Sequence, residues 1–189
     1  MGCSYSSSDQ RDILDAIEQA KKNLSPNISD LKSFPKAKTL YEILSRSVGS
    51  SKEIEKTVES RYAHFEDFIK EIKQISIEYQ NIKKTNYLLD YDDLLTQSVR
   101  LLEEDEQLRV RISSNWLYLL VDEYQDTNRL QARMVRMLAT GHDNVMAVGD
   151  DSQSIYSFRG ANFQNIMEFP DLFPGTRIIK LEENYRSTQ

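Results

Sequence analysis

The residues best placed to do chemistry lie in LLVDEYQDTN (119–128), where an apolar run ends in two adjacent carboxylates, Asp122 and Glu123. Neighbouring carboxylates repel each other and resist burial, so the pair requires either solvent or a cation. A second acidic pair, Asp150 and Asp151, follows a second apolar run at 144–148. Acids in such places suit a site that holds Mg²⁺ and phosphate together. One carboxylate can hold the cation, usually through water, while the next orients an attacking water. Taken alone, a DE pair after an apolar run equally describes an ordinary capped loop.

Two further stretches carry chemical potential. VGDDSQSIYSFRGA (148–161) places Gln153, Tyr156, Phe158 and Arg159 in one short turn. Aromatic rings beside an arginine make a platform on which bases stack, with cation–π support; the alternative is that both rings are core. LEENYRSTQ (181–189) sets Tyr185 beside Arg186. That ring and fixed cation could hold a purine and a phosphate, or form a plain surface pair.

The elements that must position these residues change character along the chain. Residues 6–23 offer a Ser/Asp cap and then Ile13, Leu14, Ile17 and Ala20 at helical spacing, residues 24–38 read as a loop, and a short helix at 39–47 is closed by Gly49. A long helix is expected from Lys52 to about Asn86, because Ile54, Val58, Tyr62, Phe65, Ile69, Ile72, Ile75, Tyr79 and Ile82 fall on one stripe. Two helices follow, over 90–103 and 104–114. Strands are expected at 116–121, 144–148 and 177–181, separated by a helix capped by Asp126 or Thr127 and ending at Gly141, and by another around 162–169. Strand, helix, strand, helix, strand implies a parallel sheet with crossover helices, whose ligands collect beyond the carboxyl ends of the strands.

LDYDDL (89–94), VDEYQDTN (121–128), VGDDSQSIYSFRGA and LEENYRST (181–188) occur in that order, and together they resemble the UvrD/Rep (PcrA-like) family of superfamily 1 DNA helicases. The resemblance covers roughly residues 87–189; the helical first half is similar in placement only. It implies an α/β fold: a partial RecA-like parallel sheet (P-loop NTPase fold) preceded by an all-helical insert domain. The implied division is a helical insert (1B-like) at 1–86, the C-terminal part of the first RecA-like motor domain (1A-like) at 87–180, and a junction to a second motor domain at 181–189. By the same resemblance Asp122 binds Mg²⁺, Glu123 shares that metal site and is the general base for the water attacking the γ-phosphate, and Gln153 senses that phosphate. Arg186 is the arginine finger and Tyr185 stacks on adenine. Tyr91, Tyr156 and Phe158 line pockets for unstacked DNA bases, and Arg159 couples the two sites. The family often has Trp at the position of Phe158, which keeps a π-face with less area. The SFRG wording is also similar to the RecB-like branch.

The implied cofactors are ATP and Mg²⁺, and the implied partners are single-stranded DNA, duplex junctions and the remaining helicase domains. Movement 3′ to 5′ along single strands, in repair or replication, is the activity the family implies. One part of the ATP site is missing from the sequence. None of the six glycines precedes a lysine, so there is no Gly-Lys-Ser/Thr loop to cradle phosphates. The simplest expectation is an internal piece of a longer helicase, inactive as an ATPase alone. The alternatives are a non-catalytic module binding single strands or a helicase partner, and a fragment of a RecB-like helicase-nuclease subunit.

Composition fits these expectations. A net charge of −6 argues against broad coating of nucleic acid while leaving room for a local groove. The single cysteine, Cys3, excludes an internal disulfide framework and suits a reducing, cytoplasmic setting. No apolar run approaches the roughly 18 residues that cross a bilayer, so no membrane partner is expected. MGCSYS fits a lipidation pattern at Gly2 and Cys3, and hence a tethered adaptor, but an initiator Met on an internal segment explains it more simply.

Overall fold

The computed structural model describes residues 6–7, 10–24, 33–150 and 164–181. Two hydrophobic clusters organise them. The first is helical. Helix α1 (Gln10–Leu24) turns Ile13, Ala16, Ile17 and Ala20 inward, as its spacing predicts. Helix α2 (Ala37–Ser50) adds Leu40, Ile43 and Leu44 to the same cluster. It runs past Gly49, which stays inside the helix, and is closed by Ser51 in the left-handed region (φ 52°). Backbone bonds from Ser51 N–H to Val48 O and from Lys52 N–H to Ser47 O satisfy the last carbonyls, so a polar residue fills the place usually taken by glycine.

The long helix expected over 52–86 is instead three pieces: α3 (Ile54–Arg61), a 3-10 segment (Ala63–Phe68) and α4 (Ile69–Thr85). Tyr62 leaves the helical region at φ −137°, ψ 38°. Length supplies the reason. A continuous helix of that span would be about 50 Å long, against about 22 Å for the α1 and α2 it packs on. Breaking it lets α3 lie on α2 while α4 lies on α1. Phe68 then meets Phe34 edge to face at 5.2 Å. The apolar stripe survives the breaks: Val58, Ile72, Ile75, Tyr79 and Ile82 are all buried, with Ile54, Tyr62, Phe65 and Ile69 packed against them.

The second cluster surrounds a parallel sheet. Helices α5 (Tyr91–Glu104) and α6 (Glu106–Ser113) lead into β3 (Leu119–Val121), and α7 (Arg129–Leu138) crosses back to β4 (Val145–Ala147). These strands pair in parallel, Leu119 with Val145 through Val121 with Ala147. A smaller parallel pair joins β1 (Ser6–Ser7) to β2 (Leu88–Leu89). Asn128, not Asp126 or Thr127, caps α7; its side chain accepts from Gln131 N–H while the Gln131 side chain accepts from Asn128 N–H. Asp126 and Thr127 are drawn into the tighter turn that follows β3. Short helices α8 (Gln164–Met167) and α9 (Phe169–Leu172) end the described fold, with Pro170 in the first turn of α9, where its missing N–H costs nothing.

The third strand expected at 177–181 forms no ladder among the described residues; Ile178 and Leu181 are 71% and 87% exposed. Residues 116–118 are likewise outside β3 and exposed. Leu119, Val121, Val145 and Ala147 pack towards Tyr124, Ala132, Ala139, Phe169 and Phe173. Leu120 and Met146, alternating with them, are exposed. One face of the sheet is therefore bare among the described residues, whereas parallel sheets are normally covered on both.

Burial at Ile72 is complete. Ile72→Ala should lower the unfolding free energy by about 2–5 kcal/mol, read as a shifted urea midpoint at unchanged slope. A loss below about 1 kcal/mol would place this residue outside a close-packed core.

Candidate active site

Parallel pairing brings the carboxyl ends of β3 and β4 to one edge, and the chain there is tightly held. Val148 N–H donates to Val121 O at 2.8 Å, and Tyr124 N–H donates to Val148 O at 2.9 Å. The exposed pair Asp122 and Glu123 lies between these two ties. Asp122 Oδ1 accepts the Glu123 N–H at 2.9 Å. Glu123 itself sits at φ 50°, ψ 41°, a left-handed conformation that costs a non-glycine residue about 1 kcal/mol or more. A 3-10 turn (Tyr124–Asp126) follows, with Tyr124 buried edge-on against Phe169 at 5.2 Å. Burial raises the Tyr124 phenol above its ordinary pKa.

Gln125 joins the two loops. It is 1% exposed. Its Nε2 donates to Glu123 Oε2 at 2.6 Å, and its Oε1 accepts the Asp150 N–H at 3.0 Å. Gly149 closes against this amide: a Cβ there would stand 2.6 Å from Gln125 Oε1 and 2.7 Å from Ile166 Cδ1. Asn165 anchors the far side of the turn by donating to Thr127 O at 2.9 Å.

Among the described residues no group of three or more His, Cys, Asp or Glu side chains is disposed around a metal. The donor set nevertheless fits Mg²⁺, which binds through one or two carboxylates completed by water and substrate phosphates. Asp122 and Glu123 each have one oxygen engaged by the protein and one that no hydrogen bond among the described residues occupies.

The LDYDDL stretch folds into a second polar centre. Lys83 is buried at the end of α4, where its Nζ lies 2.6 Å from Asp90 Oδ2 and 2.5 Å from Asp93 Oδ2. Tyr79 OH donates to the same Asp90 oxygen at 2.7 Å, and the Lys83 ammonium stands 4.4 Å from the Tyr79 ring centre. Asp90 and Asp93 also form a reciprocal cap at the start of α5. Burial works to raise the Asp90 carboxyl, but the Lys83 charge and the hydrogen bonds outweigh it and hold the group below its ordinary value. Burial pushes the Asp92 carboxyl up to about 6, against a hydrogen bond from Ser45. Tyr91 projects from this junction and is 73% exposed.

Of the residues singled out from sequence, the structure brings Asp122, Glu123 and the Asp150 backbone to one corner and sets Tyr91 on the first turn of α5. Gln153, Tyr156, Phe158, Arg159, Tyr185 and Arg186, with Asp151, lie outside the described residues. Sequence reasoning passed over Gln125 and took Lys83 for a solvated residue able to touch a phosphate backbone, whereas Lys83 is buried against Asp90 and Asp93. A polar residue inside DEYQD carries no periodicity, and one lysine of KK beside Ile82 reads as solvated surface until its two aspartates arrive from the next helix. The Asn128 cap was available as the N-x-x-Q spacing of a capping box.

A parallel sheet with acids at adjoining strand ends defines an α/β protein of the kind that binds ligands beyond those ends. The family model for the UvrD/REP helicase N-terminal domain matches residues 2–174. The chain belongs to the UvrD/Rep helicase family. It is 49% identical over 109 residues to the ATP-dependent DNA helicase Rep of Buchnera aphidicola from Acyrthosiphon pisum, covering 55% of this chain and 17% of that one. Against Rep of Escherichia coli K12 the identity is 48% over 101 residues, or 53% and 15% of the two chains. The ATP-dependent DNA helicase PcrA of Staphylococcus epidermidis RP62A is 42% identical over 111 residues, or 59% and 15%. The matched regions thus amount to about a sixth of these relatives' lengths. No helix among the described residues is long and apolar enough to cross a membrane.

The two aspartates should affect stability in opposite senses. The lowered Asp90 pKa gives stability that is present above the unfolded value near 3.8 and is lost as pH falls through the folded value. For Asp92, raised to about 6, stability is lost as pH rises from 3.8 through 6. Asp92→Asn should therefore raise the denaturation midpoint at pH 7 and leave it unchanged below about pH 3.5. A variant destabilised at pH 7 would contradict this.

Proposed function

We propose that this chain supplies the acid-bearing half of the ATP site, and part of the DNA track, in a motor of the ATP-dependent DNA helicase class. The observation that carries the proposal is the corner at the ends of β3 and β4, where Asp122 and Glu123 stay exposed while their backbone is pinned from both sides. Phosphoryl transfer depends on positioning and electrostatics more than on covalent chemistry, and a fixed acidic corner supplies both.

In this reading Asp122 holds Mg²⁺ with Glu123 beside it, and the cation, when bound, neutralises charge on the phosphate oxygens. Glu123 accepts the proton of the water that attacks the γ-phosphate. Gln153 senses that phosphate, Arg186 stabilises charge on the transferred group, and Tyr185 stacks on adenine. Tyr91, Tyr156 and Phe158 receive unstacked bases, with Arg159 linking them to the nucleotide. Residues 1–86 form the helical insert, 87–180 the later part of a RecA-like, P-loop NTPase domain, and 181–189 the lead into a second motor domain. The bare sheet face at Leu120 and Met146 supports a domain completed by further chain. The phosphate-gripping loop would come from that chain, since no glycine here precedes a lysine. The whole machine would act on single strands and duplex junctions in the cytoplasm, moving 3′ to 5′ in repair or replication.

The 189-residue chain alone should hydrolyse no ATP above background. In the longer protein, Glu123→Gln should lower kcat by on the order of 10²–10⁴, the range of a general base. Turnover by the isolated chain that disappears on Glu123→Gln would contradict the division of labour. Single-stranded DNA should bind this chain weakly and with strong salt dependence, by fluorescence anisotropy. Tyr156→Ala with Phe158→Ala should abolish that signal; unchanged affinity would return both rings to the core. Tight binding with no turnover in the longer protein would favour a non-catalytic single-strand module.

A further inference from the structure

Gln125 sits one residue beyond the Glu123–Tyr124 step, yet it is more deeply buried than either acid it accompanies. Burying a primary amide is unfavourable unless its donor and acceptor ends are both matched, and here each end has a specific partner. A carboxylate can only accept and a backbone N–H can only donate. The two partners, Glu123 Oε2 at 2.6 Å and Asp150 N–H at 3.0 Å, therefore fix which way the amide points. They also fix the residue type. Glu at position 125 would keep the acceptor for Asp150 but set a second carboxylate against Glu123. Met would fill the space and serve neither partner. Only a side chain with one donor end and one acceptor end, at this reach, satisfies both.

The neighbourhood is built around that amide. Gly149 has no Cβ, and one placed there would meet Gln125 Oε1 at 2.6 Å, closer than such atoms approach. The left-handed turn at Glu123 (φ 50°) brings its carboxylate back over the residue two positions on. Without a tether, an exposed glutamate samples several rotamers; with one oxygen held at hydrogen-bond distance, the other has a defined direction.

We infer that Gln125 is a positioning residue: its amide aims the Glu123 carboxylate and couples it to the backbone of the 149–150 loop, so that displacement of that loop is felt at Glu123. The inference rests on the proposed role of Glu123, and it adds a residue that acts through Glu123 without touching the reacting atoms. The 149–150 loop leads directly into the 151–163 stretch, which carries Gln153 and the rings at 156 and 158.

Two readouts test this. In the 189-residue chain, amide exchange at Asp150 should quicken markedly in Gln125→Met and stay slow in Gln125→Glu, because only the latter keeps an acceptor. In the longer protein, both variants should lose kcat by about 10- to 100-fold, the value of a hydrogen bond to a charged group, with KM for ATP within about twofold of the unsubstituted protein. Gly149→Ala, which displaces the amide from the opposite side, should lower kcat in the same way. A purely structural residue would instead move KM, expression and melting together. Variants with unchanged kcat, beside a Glu123→Gln control that loses turnover, would overturn the positioning role while leaving the motor reading intact. If the unsubstituted longer protein shows no turnover, the motor reading fails. The exchange experiment then decides the bridge alone: equal Asp150 protection in Gln125→Met and the parent chain would overturn it.

Discussion

Parallel pairing of three residues in β3 with three in β4 is the constraint on which the candidate site depends. Because the strands run the same way, the chain leaves both at one edge, and their two acidic loops must meet there. Antiparallel pairing would have sent Asp122 and Asp150 to opposite ends. The cost of gathering acids is limited by leaving Asp122 and Glu123 in solvent, and the surrounding backbone is held by ties from Val148 to Val121 and from Tyr124 to Val148. The main chain is held rigidly while the two carboxylates remain in solvent.

The helical cluster is joined to this corner through α2, which contacts both α5 and α7, and through the buried Lys83–Asp90–Asp93 knot. Buried ion pairs are a weak source of net stability, since desolvation offsets much of the attraction, but breaking one leaves an uncompensated charge. Their contribution here is geometric: Asp90 caps α5, binds Lys83 and accepts from Tyr79 at once. The end of α4 and the start of α5 can therefore adopt only one relative arrangement without stranding a charge. Tyr91, the next residue, inherits that arrangement.

Much of this was legible in the sequence, and the failures share a cause. The helices α1, α5, α6 and α7 and the strands β3 and β4 follow from local periodicity and apolar runs, and the placement of the acids at strand ends follows from those elements. The single helix read over 52–86 failed because its apolar stripe is continuous while the space it packs into is short; periodicity reports a face, not a length. Gly49 looked like a stop, yet Ser51 ends the helix. The ladder expected at 177–181 needs a neighbouring strand that the described residues do not provide. Gln125 lies within the VDEYQDTN stretch, but nothing local gives it a role, because its partners include Asp150 and Gly149, more than twenty residues away. The roles given to Gln153, Tyr156, Phe158, Arg159, Tyr185 and Arg186 rest on the family pattern, since they fall outside the described residues.

A divalent cation at the β3–β4 corner is what the proposed function requires before anything else. Titrating ¹⁵N-labelled chain with Mn²⁺, a paramagnetic substitute for Mg²⁺, tests it directly, because relaxation near the ion broadens even weakly occupied sites. The amides of Asp122, Glu123, Gln125 and Asp150 should broaden first, and excess Mg²⁺ should restore them. Broadening confined to the exposed acidic stretch at 103–106, with those four amides unaffected, would contradict the account.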